Sequence, residues 1–376
     1  MSEWTTTRRS ALTAMAATIA FPAAARRGTT RSGVRPVTLM AGTYAREGGK
    51  GVYPVTFDPA RDTWRVETPV DGIDDASFGV AGGPARPYYF VREGGTGQIA
   101  AYASNWTRDG STPTGGADPC YVAIDRASAC LAVANYSSGS VAFYRLDQRT
   151  GVPGEPTVFR HTGSGPNHDR QDAPHAHWVG FSPDRRWLHS VDLGADTIFA
   201  YRFDPNARTL AEPVVAWRAP AGAGPRHLVR HPTRPIAYVV CELSNALITL
   251  DVRDDGSFVT RHMISTLPAG HRGASQAAHI AIDRAGRRLY VSNRGHDSIA
   301  VFALNGNGEP TLLQHVASGG SWPRFFLLLD AQRRLVVANE RSGTLAILRV
   351  EPDGRLTATG QTMAVPGAVF LSETGA

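Results

Sequence analysis

The chain has 376 residues, of which 42% are hydrophobic, so it is long enough to bury a large core. Its formal charge is +6 at pH 7, from 39 Lys and Arg against 33 Asp and Glu. The basic residues are scattered, without a Lys/Arg run and without interleaved aromatic residues, which argues against nucleic-acid binding. A local basic pocket for a small anionic molecule is still compatible with this charge.

The N-terminus has the features of an export signal. Arg8 and Arg9 precede an apolar stretch over residues 11–21, and a run of three alanines follows shortly after it. We predict a twin-arginine signal peptide over residues 1–25 and a linker over residues 26–37, and hence a periplasmic or secreted mature protein. The apolar stretch is too short to cross a membrane, so we expect no membrane contact after cleavage.

The rest of the chain repeats one unit. Each copy contains an apolar strand that ends in a polar residue, a loop of about five residues rich in Gly, Ser and Asp, and a second strand with alternating apolar residues. Successive copies lie about 42 to 57 residues apart, which is typical of propeller blades. Anchored on the polar residue, the copies fall at Thr43, Glu93, Asn135, Asp192, Glu242, Asn293 and Asn339.

Another strand precedes most of these hairpins and is often opened by proline, as in PHAHWVGF at Pro174. The last such strand, PGAVFLS at Pro366, has no hairpin after it, and the N-terminal hairpin has no strand before it. Joining the two removes an exposed sheet edge. We therefore predict an all-β fold in which residues 38–376 form a single seven-bladed β-propeller, closed by the C-terminal strand joining the N-terminal blade.

Polar side chains are expected to converge at one mouth of this ring. The first strand of a blade lines the central channel, and its start lies at the same end as the end of the second strand. His175 and His177 are two residues apart on one strand, so both should face the same space. Together with Arg and Glu they resemble the set that acyl-group hydrolysis requires. The other candidates at this mouth are Arg226, His227, Glu242, His279, Asn293, Arg294 and Arg324.

Sequence motifs give little support to several other kinds of site. The histidines suggest zinc, but no motif of known metal spacing accompanies them, so we predict no metal and no cofactor. G-x-S-x-G does not occur, so a serine triad is not indicated. Asn135, Asn293 and Asn339 recur in the repeat and fit loop caps better than substrate binding. Cys120 and Cys130 flank a predicted turn, where a disulfide is compatible with the sequence but buried free thiols are favoured.

Longer phrases resemble the β-propeller lactonase family, whose founding activity is 6-phosphogluconolactonase. They include RQDAPHAHWVGFSPD, GPRHLVRHP, LYVSNRGHDSIAVF and SWPRFFLLLDAQRRLVVANERSG, and the resemblance runs from about residue 38 to the C-terminus. It implies a metal-independent hydrolase that opens a sugar-acid-type lactone, acting on a small anionic substrate. A phosphorylated sugar lactone belongs to the cytoplasm, so for an exported member we expect a lactone without phosphate.

The resemblance also assigns roles. The related fungal carboxymuconate cyclases use a His, two Arg and a Glu around a lactone carboxylate, which fall here on His177 or His175, Arg226, Arg294 and Glu242. The remaining candidates, His227, His279, Arg324 and Asn293, are placed at the mouth by the repeat alone, and we predict that they bind substrate. His279 departs from the family, which usually carries an acidic residue there. A lactone-forming isomerase and a non-enzymatic binding module stay open as alternatives, and a monomer is expected.

Overall fold

A computed structural model describes residues 36–83 and 86–374. These residues form seven antiparallel sheets, which confirms the predicted seven-bladed β-propeller. The predicted signal peptide, and the linker up to residue 35, lie outside the described residues. The described helical segments are two 3₁₀ turns, Ala45–Glu47 and Asp330–Gln332, and neither is long or apolar enough to cross a membrane.

Each blade is a meander of four main strands, which we call inner, second, third and outer from the channel outward. Blade 1 comprises Ala368–Glu373, Val37–Thr43, Tyr53–Asp58 and Thr63–Val66; blade 2, Phe78–Ala81, Tyr88–Arg92, Gln98–Tyr102 and Arg108–Pro113; blade 3, Pro119–Asp125, Cys130–Asn135, Ser140–Arg145 and Thr157–Arg160. Blade 4 comprises Ala176–Phe181, Trp187–Asp192, Thr197–Asp204 and Val214–Arg218, with the short extra strand Thr209–Leu210. Blade 5 comprises Pro225–Arg230, Ile236–Cys241, Ala246–Val252 and Phe258–Ser265; blade 6, Gln276–Ile282, Arg288–Arg294, Ser298–Leu304 and Pro310–Ala317; blade 7, Pro323–Leu329, Arg334–Asn339, Thr344–Val350 and Leu356–Ala364.

Blade 1 is assembled from both ends of the chain. Its inner strand, Ala368–Glu373, pairs antiparallel with Val37–Thr43, so that Leu39 lies opposite Glu373 and Ala41 lies opposite Leu371. Both strands are largely buried, because they carry apolar residues toward the neighbouring blades. The ladder closes the ring as predicted and leaves no free inner edge.

A repeated hydrogen bond ties neighbouring blades together. In blades 2, 5 and 6 the second strand carries a buried tyrosine three residues before the last residue that pairs with the third strand. The hydroxyl of each tyrosine donates to a glycine carbonyl in the next blade. The pairs are Tyr89 with Gly151 at 2.7 Å, Tyr238 with Gly308 at 2.6 Å, and Tyr290 with Gly354 at 3.0 Å. Blade 4 carries His189 at this register, and its Nε2 bonds the Gly256 carbonyl at 2.8 Å.

Bulges at the start of the inner strands aim side chains into the mouth. In blades 3, 4, 5 and 7 the register shifts by one residue between the first two ladder pairs, which leaves one extra residue unpaired. A bulge of this kind turns a side chain away from the regular alternation. The extra residues are Cys120, His177, Arg226 and Arg324.

The residues that follow the bulges fill the channel with rings. Tyr121, His227, His279 and Phe325 join Phe370 and Phe78 in a closed circle of contacts with centroid distances from 3.9 to 5.3 Å. Phe78 also meets Phe325 across this circle at 5.8 Å. We call these six side chains the aromatic plug, because they occupy the centre of the ring one residue further in than the bulges.

Two details of the repeat differ from the sequence prediction. The last ladder pairs are Asn135 with Ser140 in blade 3 but Cys241 with Ala246 in blade 5, so Glu242 is the first loop residue and not the strand end. A one-residue slip reverses the face on which a side chain lies.

Cys130 pairs with Asp125, which places it at the opposite end of the hairpin from Cys120, and all three cysteines are free and buried.

We expect ring closure to control stability. Removing residues 366–376 deletes the inner strand of blade 1 and exposes the ladder edge of Val37–Thr43, so the melting temperature should fall by more than 10 °C, in keeping with the loss of several kcal/mol. Thermal unfolding followed by circular dichroism measures this. Removing only residues 375 and 376 is the control and should leave the melting temperature unchanged. A stable protein after the longer truncation would contradict the role given to closure.

Candidate active site

A cavity of about 290 Å³ opens at the mouth where the inner strands begin. Its walls come from the bulges, from the residue that follows the last ladder pair between second and third strands, from two connecting segments, and from the start of the inner strand of blade 6. The bulges supply Cys120, His177 and Arg324; the ends of the second strands supply Glu93, Tyr136, Glu242 and Arg294; the remaining walls are Arg46, Arg170 and Gln276. We call this space the mouth cavity.

Glu242 is the centre of the charged network. Its Oε2 accepts from Arg294 at 2.7 Å and from Arg226 at 2.9 Å, and its Oε1 accepts from Arg170 at 2.6 Å. Burial alone would raise the pKa of Glu242, but these three guanidinium groups hold the pKa well below its usual range. Glu242 is therefore a permanent carboxylate that fixes three cations in place.

Arg226 lies behind Glu242 and does not line the mouth cavity. Its side chain is fully buried, and Nη1 donates to the carbonyl of Ala278 at 2.6 Å and contacts Nε2 of His227 at 3.1 Å. Burial, together with the nearby Arg294 and Arg324, lowers the pKa of Arg226 to about 9, so the group stays charged at neutral pH. Its position suits holding Glu242 and not touching a substrate.

The contacts of Arg226 fix the protons on two histidines of the aromatic plug. Burial, with Arg226 nearby, lowers the pKa of His227 and of His279 well below the usual range, so both rings are neutral. Arginine can only donate, so Nε2 of His227 accepts and its proton sits on Nδ1. That proton is donated to Nδ1 of His279 at 3.0 Å. The two histidines thus anchor Arg226 from below.

The structure separates His177 from His175. His177, at the bulge, lines the mouth cavity, with Nδ1 3.7 Å from the Cys120 sulfur. His175 precedes the strand, stacks on Tyr136 at 4.5 Å, and its Nδ1 bonds the Tyr136 carbonyl at 3.1 Å. The two rings therefore do not enter one space, because the bulge breaks the alternation. Burial and Arg226 lower the pKa of His177 well below its usual range.

A second charged group forms the opposite wall. Arg324 stands between Glu93 and Glu340, at 3.9 Å from an oxygen of each. The hydroxyl of Tyr44 donates to Glu93 at 2.8 Å, and Arg46 reaches Glu340 at 3.4 Å. Tyr44 and Arg46 follow the second strand of blade 1, so ring closure brings them here.

The mouth carries excess positive charge. Among the described residues of both charged groups, five guanidinium groups face four carboxylates, an excess of one: Arg46, Arg170, Arg226, Arg294 and Arg324 against Glu47, Glu93, Glu242 and Glu340. In a partly enclosed cavity this excess attracts an anion, because field lines are focused between low-dielectric walls.

The predicted site residues divide into two sets. The structure brings His177, Glu242, Arg294 and Arg324 to the cavity, whereas His175, Arg226, His227, His279 and Asn293 do not line it. Asn293 is fully buried, and its amide nitrogen donates to the Thr266 carbonyl at 2.9 Å. Asn339 makes the matching bond to Ser318, as a loop cap does. Sequence reasoning did not select Arg46, Cys120, Tyr136, Arg170 and Gln276.

For one of these unselected residues the repeat itself indicates a place at the mouth. Tyr136 directly follows the recurring Asn135, as Arg294 follows Asn293 and Glu340 follows Asn339. In correct register, Glu242 occupies this same position. No sequence pattern indicates Arg170, because it lies in a long loop before blade 4 that has no equivalent in the repeat. Within residues 36–83 and 86–374, no three His, Cys, Asp or Glu side chains are grouped so as to hold a metal ion.

A seven-bladed propeller with imidazole, carboxylate and guanidinium groups around one small cavity has the layout of an enzyme for small anions. The family model described as "Lactonase, 7-bladed beta-propeller" matches residues 38–372, and the chain belongs to this family. It is 33% identical over 339 residues to the 6-phosphogluconolactonase of Bacillus subtilis (strain 168), covering 88% of this chain and 96% of that protein.

Solved structures give the same likeness. The periplasmic gluconolactonase of Pseudomonas aeruginosa matches with a TM-score of 0.83 and 27% identity, covering 90% of this chain and 99% of that one. A protein from Lactobacillus plantarum matches with a TM-score of 0.84 and 28% identity, again over 90% of this chain and 99% of that one. The similarity therefore covers the whole ring.

The buried neutral histidines make stability depend on pH. His177, His227 and His279 have folded pKa values below the unfolded value of about 6.5, so the unfolded chain binds more protons as the pH falls through this value. The free energy of unfolding should be constant above about pH 7 and fall below about pH 6.5, by up to ~1.4 kcal/mol per pH unit for each histidine. Urea unfolding at pH 7.5, 6.5 and 5.5 measures this.

The variant His279→Phe serves as the comparison, because it keeps a ring against Phe325 and removes one titrating group. Its pH dependence should be shallower than that of the wild type. Equal free energies of unfolding at pH 7.5 and 5.5 in the wild type would show that these histidines are not held neutral.

Proposed function

We propose that the protein is a lactonase that hydrolyses a sugar-acid-type lactone in the mouth cavity. The observation that carries this proposal is Glu242, which fixes Arg170, Arg226 and Arg294 beside the neutral imidazole of His177. Family membership and the named relatives support the reaction class. The surplus of positive charge supports an anionic substrate or an anionic product.

In this proposal the guanidinium groups bind oxygen. Arg294 lines the cavity, with Nη2 on Glu242 at 2.7 Å and Nε on the Gln276 carbonyl at 3.4 Å, so its Nη1 is the donor we assign to the lactone carbonyl oxygen. The negative charge that develops on that oxygen during attack is greatest in the transition state, where fixed donors act most strongly. Arg170 and Arg46, at the rim, would hold the substrate's hydroxyl or carboxylate groups.

His177 takes the part of general base. It accepts a proton from water as the water oxygen bonds to the lactone carbonyl carbon, which gives a tetrahedral oxyanion and an imidazolium. When the carbon–oxygen bond of the ring breaks, the imidazolium returns the proton to the leaving alkoxide, and the product is a hydroxy acid. Both oxygens of Glu242 are occupied by Arg170, Arg226 and Arg294, so Glu242 stabilises the imidazolium by its charge and does not take the proton.

The compartment in which the protein acts limits the range of lactones that it can meet. We propose that residues 1–25 direct export, in line with the location named for the Pseudomonas aeruginosa relative. Phosphorylated sugar lactones are formed inside the cell, so an exported enzyme would meet a lactone without phosphate. The reaction is proposed to need no metal, because arginines supply the positive charge that a Lewis acid would provide.

The first test is a pH-indicator assay of residues 26–376 against sugar lactones with and without phosphate, in the presence of a chelator. Hydrolysis of an unphosphorylated sugar lactone that persists with the chelator supports the proposal. Formation of a lactone from an open dicarboxylate would identify a lactone-forming isomerase instead. No conversion in either direction would favour a binding module.

Two substitutions test the assigned roles. Arg294→Ala removes a donor to the oxyanion and should lower kcat/KM by about 10²–10³. His177→Gln removes the base and should lower kcat by about 10²–10⁴. In the wild type, kcat/KM should stay constant down to pH values well below 6.5, because burial and Arg226 hold the pKa of His177 well below its usual range, and it should fall where that imidazole protonates. This acid limb should be absent from the residual activity of His177→Gln.

Exposed residues of the same types provide controls. Arg149→Ala and His262→Gln change an exposed loop and an exposed strand face and should leave the kinetics unchanged. Near-wild-type turnover in both Arg294→Ala and His177→Gln would reject the mechanism. Loss of activity in the two controls would instead indicate a general effect on folding.

Export makes a separate prediction. Replacing Arg8 and Arg9 by lysine should keep the protein in the cytoplasm, because twin-arginine signals depend on that pair. Cell fractionation followed by immunoblotting measures the distribution, and the change Arg31→Lys outside residues 1–25 is the control. Unchanged export of the double variant would reject a twin-arginine signal without affecting the proposed chemistry.

A further inference from the structure

A second cavity, of about 210 Å³, lies between blades 4 and 5 at the end of the ring opposite the mouth cavity. Its walls are the turns that join inner and second strands in the two blades, the turn before the outer strand of blade 5, and His189. None of these residues belongs to the site described above.

This cavity occurs where the repeat changes at two positions at once. Blades 2, 5 and 6 place a tyrosine at the register that His189 occupies in blade 4, and each tyrosine hydroxyl reaches a glycine of the next blade. His189 makes the corresponding bond to Gly256 with a smaller ring. The shorter side chain leaves room between the blades.

The second change is Arg230. In blades 3, 4, 6 and 7 the inner-strand residue at the same register is apolar, namely Ile124, Phe181, Ile282 and Leu328. Each of them, like Arg230, pairs with the second-strand residue four positions before the last one that pairs with the third strand. Arg230 extends toward His189, and its Nη2 donates to Nδ1 of that ring at 3.1 Å. Its guanidinium also lies 5.4 Å from the Phe258 ring centroid. The two changes are therefore in direct contact.

Arg230 makes no close ion pair with a carboxylate of the described residues. Burial lowers its pKa to about 10, and the charge of Asp184, a wall residue of the same cavity, acts on it from beyond ion-pair distance. The two aspartates at this cavity are engaged by Arg186, which lies 2.6 Å from Asp184 and 3.8 Å from Asp254. A half-buried cation without a partner is costly unless an anion joins it.

Several donors around Arg230 are also unused. The hydrogen bond that its guanidinium makes within the described residues is the one from Nη2 to His189, and the buried Nε1–H of Trp187, another wall residue, has no acceptor there. Arg234 and Arg253 at the rim bring the arginines of this cavity to two more than its aspartates. A tetrahedral or planar oxyanion matches such a set, because guanidinium forks bind two oxygens at once.

We propose that the cavity between blades 4 and 5 is a second binding site, which takes a small oxyanion, either free phosphate or the phosphate group of a metabolite, against Arg230. This site is separate from lactone hydrolysis and does not depend on it. Its occupant neutralises Arg230 and bridges the two blades.

Isothermal titration with inorganic phosphate at pH 7.5 and low salt tests the proposal. Arg230→Met keeps the side-chain length and removes the charge, and it should weaken phosphate binding at least about tenfold, the effect expected for one charged hydrogen-bonded pair. His189→Tyr restores the residue of the other blades; its ring should fill the cavity and its hydroxyl should reach Gly256, so this variant should fold well and not bind. Both variants should retain lactone hydrolysis.

Arg294→Ala is the control for phosphate that binds in the mouth cavity, and binding should survive in it. The proposal is overturned if the wild type binds no phosphate, if Arg230→Met and His189→Tyr bind as the wild type does, or if only Arg294→Ala loses binding. Titration with glycerol phosphate in parallel identifies the source: tighter binding than inorganic phosphate indicates a phosphorylated metabolite, and weaker binding indicates the free ion.

Discussion

The antiparallel pairing of Ala368–Glu373 with Val37–Thr43 is the constraint on which the mouth depends. Because blade 1 takes its inner strand from one chain end and its second strand from the other, the ring closes and the inner strands point to one centre. The same closure places Arg46 beside Glu340, although 294 residues separate them in the sequence. One wall of the cavity therefore exists only in the closed ring.

Much of the architecture was predictable from the sequence, because it depends on local periodicity. Strand alternation and the recurring loop identified the blades, and the unpaired strand at Pro366 identified the closure. The placement of individual side chains was harder. The sequence pattern places Glu242 at the last ladder pair of its hairpin, whereas the register shows that it follows that pair, as Arg294 and Glu340 do.

The types of residue at the site could be predicted from the sequence, but which of them line the cavity and which lie behind it could not. Arg226 and Arg294 are both buried near the mouth, yet Arg294 lines the cavity and Arg226 lies behind Glu242 without reaching it. This difference arises from packing between blades, where the Ala278 carbonyl and His227 accept hydrogen bonds from Arg226. Long-range contacts of this kind leave no trace in a repeat pattern. Arg170 shows the same limit, since a loop without an equivalent reaches Glu242 across 72 residues.

The aromatic plug determines how molecules pass through the protein. The six rings contact their neighbours in a closed circle, and Phe78 meets Phe325 across it, so the plug fills the channel between the mouth cavity and the opposite end of the propeller. In the reaction proposed above, the lactone and its hydroxy-acid product therefore pass through the same opening. The product carries a carboxylate that the lactone lacks, so the arginines that attract the substrate also act on the release of the product.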